Sequence, residues 1–339
     1  MQDMITDGGP SAIRIAQYGT RHGHAAGWAQ AMLANPGVEL VGVYEPDRAR
    51  MAELKAAGSP PWSEVRWFQD KAEFLDDPTI QAVASEGSNA ESLAQTEEIV
   101  TAGKHVLFDK PAGEDYPRFE RMLDTARQRR LLVQMGYMWR YHDGFSRIAG
   151  WARSGFLGKV FGIRAHVSTN LTPEATSVIA SHTGGIFYDL AGHVIDQIVW
   201  ILGRPDKVTS FLRQDSFVTE GFMDNALGVF EYDGALAFVD IAAMEPPPMA
   251  RRFEVYGTEG SAIMEPFEPA GTIRLCLREP KGDYPAGVST IEIEDRPRYD
   301  APLAAFLQDL RGEKEPDRSM EHELTVQETL LRATGGIAG

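Results

Sequence analysis

The chain has 339 residues, of which 43% are hydrophobic and 24% charged, and a formal net charge of −16. These are the proportions of a globular protein long enough for two cores, and so acidic a surface repels nucleic acid. No Lys/Arg run marks a membrane patch, no segment has the apolar length that spans a bilayer, and one cysteine, Cys276, excludes an internal disulfide. The opening MQDMITDGGP has neither the basic end nor the apolar core of a secretion signal. The cytoplasm is the expected location, by elimination.

Strand and helix patterns alternate over the first 135 or so residues. AIRIAQY (12–18) reads as a strand, and Ala25, Trp28, Ala29, Met32 and Leu33 then fall at helical spacing until Asn35-Pro36-Gly37 ends the run. LVGVY (40–44) is a second strand, followed by Asp47 as the N-cap of another helix. AVAS (82–85), HVLF (105–108) and LLVQM (131–135) continue the strands, with helices over 90–102 and 116–129 between them. Continuous apolar strands separated by helices predict a parallel sheet covered on both faces. After a helix over 144–153 the pattern changes to longer alternating runs at 160–170, 207–213, 225–232 and 235–243, with Asp233-Gly234 as a hairpin turn. FEVYG, AIME and TIRLCLR follow, and helices over 302–310 and 321–332 close the chain. The expectation is an α/β protein: an N-terminal Rossmann domain, 1–136, and a C-terminal α+β domain, 137–339, with a large, mostly antiparallel sheet.

The turn after the first strand, QYGTRHGHAAG, is the place for a dinucleotide pyrophosphate on backbone N–H groups. With Gly19 as the middle glycine of G-x-G-x-x-G, the outer positions hold Gln17 and His22, and Gly23 comes one place late. Gly19, Thr20, Arg21 and His22 are the candidate coenzyme contacts. His22 and His24 also read as donors to loop carbonyls. Glu45 ends the second strand, where an acid accepts hydrogen bonds from the adenosine ribose and opposes a 2′-phosphate. NAD is therefore expected over NADP.

Two stretches carry the chemistry. GKHVLFDKPAG (103–113) places Lys110 at the C-terminal end of an apolar strand, where open parallel sheets hold ligands, and Pro111 restricts its backbone. GGIFYDLAGHVID (184–196) places Asp189, His193 and Asp196 on one stripe of a helix predicted over 189–202, whose other faces are apolar. Buried ionisable groups are costly unless they pair or line a cavity. Lysine, carboxylate and imidazole are the groups that move a proton while a hydride moves elsewhere. No His-x-x-x-His or cysteine cluster accompanies them, so no metal is expected.

Together these stretches resemble the Gfo/Idh/MocA oxidoreductases over nearly the whole chain. GKHVLFDKP is similar to the family's GKHV-x-x-EKP, with Asp109 in place of Glu. GGIFYDLAGHVIDQIVWILG is similar to its GG-x-x-x-D-x-x-x-H-x-x-D helix, and VYGTEGS (255–261) to its YGT-x-G segment. The segment Gly87–Ser92 keeps only Asn89 of the family's T-P-N-x-x-H. The resemblance implies Lys110, Asp189 and His193 as the acid–base site and Asn89 and Lys110 beside the coenzyme. It implies a pocket wall of Tyr137, Trp139, Arg140 and His166 and a sugar, polyol or related hydroxy compound as substrate. A carboxylated sugar follows if Arg140 faces the pocket; an ion-pair role for Arg140 weighs equally. A homodimer or homotetramer through the C-terminal sheet is implied too. Two other readings stay open: a coenzyme-binding regulator without turnover, and an NAD-dependent glycoside hydrolase.

Overall fold

Apolar strands become the buried centre of a parallel sheet in the first half of the chain, as their composition requires. The computed structural model describes residues 12–216 and 219–337; the N-terminal MQDMITDGGP, read above as no secretion signal, lies outside them. The chain divides into two compact units. The first runs to Gly113 and adds Arg118–Gly136 and Pro302–Asp317; the second comprises Glu114–Pro117, Tyr137–Ala301 and the chain from Arg318 on.

In the first unit the order is β1 (Ile13–Tyr18), α1 (Ala25–Ala34), β2 (Val38–Tyr44), α2 (Arg48–Ala57), a single turn α3 (Ala72–Leu75), β3 (Ala82–Ser85), α4 (Ser92–Thr101), β4 (His105–Phe108), α5 (Tyr116–Gln128) and β5 (Val133–Met135). The strands form one parallel sheet in the order β2-β1-β3-β4-β5. All four residues of β3 are buried. Asp47 caps α2 by accepting from the N–H groups of Ala49 and Arg50, and Gly58 ends that helix in the left-handed conformation. On α5, Phe119, Met122, Leu123 and Ala126 are the buried stripe, at helical spacing. Strand order reverses at β1, so the crevice beyond the C-terminal ends of β1 and β3 is where such sheets bind ligands.

The second unit begins with a 3-10 turn (Met138–Tyr141), then α6 (Asp143–Arg153), β6 (Val160–His166), α7 (Pro173–Ile179), α8 (Ile186–Leu190), α9 (Gly192–Leu202), β7 (Lys207–Arg213), β8 (Asn225–Tyr232), β9 (Ala235–Ala242), β10 (Arg252–Gly257), β11 (Gly260–Met264), β12 (Thr272–Leu277) and β13 (Gly287–Glu292). Helix α10 (Asp300–Leu310) returns almost wholly to the first unit, and α11 (Met320–Thr334) ends the second. The eight strands form one sheet, β13-β12-β11-β10-β6-β9-β8-β7, antiparallel except between β6 and β9. Helices α6, α8 and α9 pack on it, and α11 packs on α8 and α9. The uncovered side carries exposed Phe211, Leu236 and Val288, and Phe161 lies against Tyr256.

The expected helix over 189–202 is a correction: it is two helices, broken after Leu190, so Asp189 lies in the last turn of one and His193 in the first turn of the next. Strand β13 has no counterpart in the sequence reading. Its residues alternate only between exposed and half-buried, and no apolar run announces them.

Candidate active site

In the first unit the loop after β1 turns at Gly19, whose φ of +91° suits glycine. A Cβ there would lie 2.6 Å from the Gly87 nitrogen, so the glycine lets the loops after β1 and β3 close on one another. Gln17, in the first position of the fingerprint, is buried beneath this turn, and its amide donates to the carbonyls of Gly19 and Ala25. A side chain thus braces the turn that a glycine would only have permitted. His24 precedes α1 with no side-chain cap, and the first N–H of the helix, that of Ala25, donates to the His22 carbonyl at 3.1 Å.

Glu45 is buried and engaged within the loop. Its Oε2 accepts from Thr20 N (2.9 Å) and Thr20 Oγ1 (2.6 Å), and its Oε1 from Asp47 N (3.0 Å). Arg50 holds Thr20 from the other side through Oγ1 and the carbonyl. Arg21 is exposed and paired with Asp47, and Asn89 is half-buried in the loop after β3. Lys110 is only 4% exposed at the end of β4. The acid before it is oriented from two sides: Asp109 Oδ1 accepts the Lys110 N–H at 2.7 Å, and Oδ2 accepts the Trp28 indole N–H at 3.0 Å.

The imidazoles of His22 and His24 also face Asp109, rather than loop carbonyls alone; the backbone N–H of His22 donates to the Glu86 carbonyl. Burial works to raise the Asp109 carboxyl, but the charge and hydrogen bonds of these two imidazoles hold it well below the usual range. Burial pushes Glu86 well up, and Asp109 beside it adds to the rise. Sequence reasoning passed over Glu86. Its one signal is a charged residue directly after the short buried strand AVAS.

In the second unit, His193 is the second residue of α9 and is 3% exposed. Its ring lies 4.7 Å from the Trp139 ring and 6.0 Å, edge to face, from that of Tyr137. Gly192 permits this: a Cβ there would meet the Tyr137 ring at 3.0 Å. Trp139 in turn stacks on Phe145 and touches Phe267, which fixes the wall. A cavity of ≈ 300 Å³ shares Trp139 and is lined further by Tyr141, His142, Phe267, Glu268 and Arg298. Asp189 is half-buried at the end of α8.

Three expected neighbours are drawn elsewhere. Asp196 lies on the stripe with His193, but its Oδ1 accepts from Arg140 Nε at 2.9 Å and from His322 Nε2 at 2.8 Å. Burial opposes the charge on Asp196, yet Arg140 and His322 keep its carboxyl far below the usual range. Arg140 completes this buried network by donating to both oxygens of Glu323 at 2.6 and 2.5 Å. With its fork so occupied, Arg140 has no donor pair for a substrate carboxylate, which removes the ground for a carboxylated sugar. His166 is likewise clamped, 2.6 Å from Asp240 Oδ2 and 2.9 Å from Glu245 Oε2.

Comparison with known proteins supports this frame over most of the chain. Residues 13–137 match the model described as oxidoreductase family, NAD-binding Rossmann fold, and residues 145–263 match the GFO/IDH/MocA C-terminal domain. The scyllo-inositol 2-dehydrogenase (NAD(+)) of Bacillus subtilis is 25% identical over 292 residues, covering 83% of this chain and 81% of that one. The myo-inositol 2-dehydrogenase of Thermotoga maritima is 23% identical over 260 residues, 75% of this chain and 76% of that one. Among solved structures, GenD2 from gentamicin A biosynthesis, in complex with NAD, superposes with a TM-score of 0.78 at 22% identity, covering 96% of this chain and 94% of that one.

Proposed function

The chain belongs to the GFO/IDH/MocA oxidoreductases, and from that premise we propose that it oxidises, reversibly, a secondary alcohol of a sugar, polyol or related hydroxy compound with NAD. The observation that carries the reading is His193, an imidazole buried between two aromatic rings at the start of a helix. Inositol dehydrogenases among the relatives support the substrate class. The first unit has a place for the coenzyme at the C-terminal ends of β1 and β3, where Gly19 lets the two following loops approach as a side chain there would not. When bound, the nicotinamide accepts the hydride.

Everything else falls to side chains. His193 takes the hydroxyl proton as the hydride leaves the same carbon. Lys110 holds the substrate oxygen and offsets the charge that develops there, while Asp189 orients the substrate or the imidazole. Tyr137 and Trp139 wall the reacting carbon from water. Domain roles follow the same reading: residues 1–136 hold coenzyme and 137–339 substrate, with self-association through the uncovered sheet side that bears Phe211, Leu236 and Val288.

The test is incubation of the enzyme with NAD and a panel of polyols, sugars and aryl glycosides. Net NADH formation with a polyol or sugar is the expected result. Aglycone release without net NADH, or tight coenzyme binding with no turnover anywhere in the panel, overturns the reading.

Coenzyme choice gives a second prediction. Glu45→Gln preserves the acceptor for Thr20 and removes the negative charge at the end of β2. The preference for NAD over NADP, measured as the ratio of kcat/KM values, should fall by about tenfold. An unchanged ratio removes Glu45 from coenzyme selection.

A further inference from the structure

The cavity of ≈ 300 Å³ lies wholly within the second unit, since every residue of its wall falls between Met138 and Ala301. Trp139 belongs to that wall, and its ring also lies 4.7 Å from that of His193. Neither His193 nor Tyr137, the other ring beside it, is among the described residues of the wall. A ring whose carbon reaches the His193 imidazole is therefore not the group that fills the cavity. Trp139 is common to two spaces, one for the reacting carbon and one for something joined to it.

The wall's chemistry says what that something is. Trp139 and Phe267, edge to face at 4.6 Å, present aromatic surface, and Tyr141 adds to it. Beside them stand hydrogen-bonding groups held in place. Glu268 Oε1 accepts from Arg298 Nη2 at 2.5 Å and from the Trp139 indole at 3.3 Å, while Oε2 pairs with Arg251. Arg298 is exposed and uses one of its five N–H donors on that carboxylate. Aromatic faces beside a fixed guanidinium suit a sugar ring, which has C–H groups on its faces and hydroxyls around its edge. Charge narrows the class. Asp143, Glu268, Glu294 and Asp295 outnumber Arg296 and Arg298 in the wall, which opposes a phosphate or carboxylate there.

We infer that this cavity is a subsite for a second, uncharged sugar ring, so that the preferred substrate is a two-ring saccharide or glycoside rather than a free monosaccharide or inositol. The inference rests on the reading of His193 as the base and deepens it by naming the size of the substrate. Arg298 determines specificity by donating to the remote ring, and Glu268 orients it.

The test compares maltose, cellobiose and lactose with their component hexoses, glucose and galactose. One readout is kcat/KM with NAD; the other, calorimetric binding to the full chain loaded with NADH, needs no turnover. At least one disaccharide should exceed its hexose by about tenfold or more in both. Arg298→Ala should lower that preference by at least about tenfold, the usual loss for a hydrogen bond to a charged group. Arg251 still pairs with Glu268 in this variant, and its melting temperature checks that it is folded. A crystal soaked with the preferred disaccharide should show the second ring between Trp139 and Arg298. Hexoses bound as tightly as every disaccharide, or no saccharide bound at all, overturn the inference. So does a preference unaltered in Arg298→Ala, or a soaked ring lying elsewhere. Disaccharide binding that depends on Arg298, without NADH formation from any sugar, leaves the subsite standing and removes the dehydrogenase reading instead.

Discussion

Replacing His193 by alanine is expected to lower turnover by about 10²-fold or more, the usual range for lost acid–base assistance. Lys110→Ala should cost as much. The two losses separate on inspection of coenzyme binding, because the residues lie in different units. His193→Ala should leave the dissociation constant for NADH within about twofold, whereas Lys110→Ala, at the end of β4, should weaken it as well. His193→Asn is the companion variant, since it fills part of the space between Tyr137 and Trp139 without supplying a base. Circular dichroism and melting temperature confirm that each variant is folded. Activity within a few-fold of wild type in either alanine variant removes that residue from the mechanism.

The second large effect is on stability. Arg140→Ala should destabilise the second unit by about 3–5 kcal/mol, because Asp196 and Glu323 would then be buried beside one another without their common cation. For a unit of this size the melting temperature should fall by on the order of 10 °C. Arg140→Lys recovers only part of this, since an ammonium cannot engage both oxygens of Glu323 at once. The network also sets an acid limit. The Asp196 carboxyl is held below its ordinary value, so its contribution is complete above the unfolded pKa of about 4 and is lost as pH falls through the folded value. In Arg140→Ala that acid-side loss should shrink, which denaturant melts at a series of pH values would show. A melting temperature within about 2 °C of wild type would remove the network from the stability account.

The same residues mark how far sequence carries. Apolar continuity located β3 and β4 to the residue, and Asp47 was legible as a cap, because strand burial and helix starts are decided locally. The burial of His193 was legible too, from a lone imidazole on an apolar helix. Asp196 was not separable from it on a helical wheel. What separates them is Arg140, 56 residues away, and His322, 126 residues away, and no periodicity encodes contacts at such distances. The break between Leu190 and Gly192 was hidden for a related reason: the apolar pattern runs through it unchanged. Glu45 shows the converse. Its position was read correctly, yet Thr20 and Asp47 engage its oxygens, and that follows only from how the loop folds back.

The return of the chain after Ala301 bears on how this protein can be divided. Pro302, at the start of that returning segment, offers its carbonyl to the Gln134 side chain of β5's edge, and Leu307 and Arg311 close over Gly37. A gene fragment ending near residue 136 would therefore expose an apolar scar where Leu303, Phe306 and Leu307 now lie buried. Excising a portable nucleotide module for engineering means grafting 302–317 back through a designed linker, and domain exchange among relatives has to carry both pieces or neither.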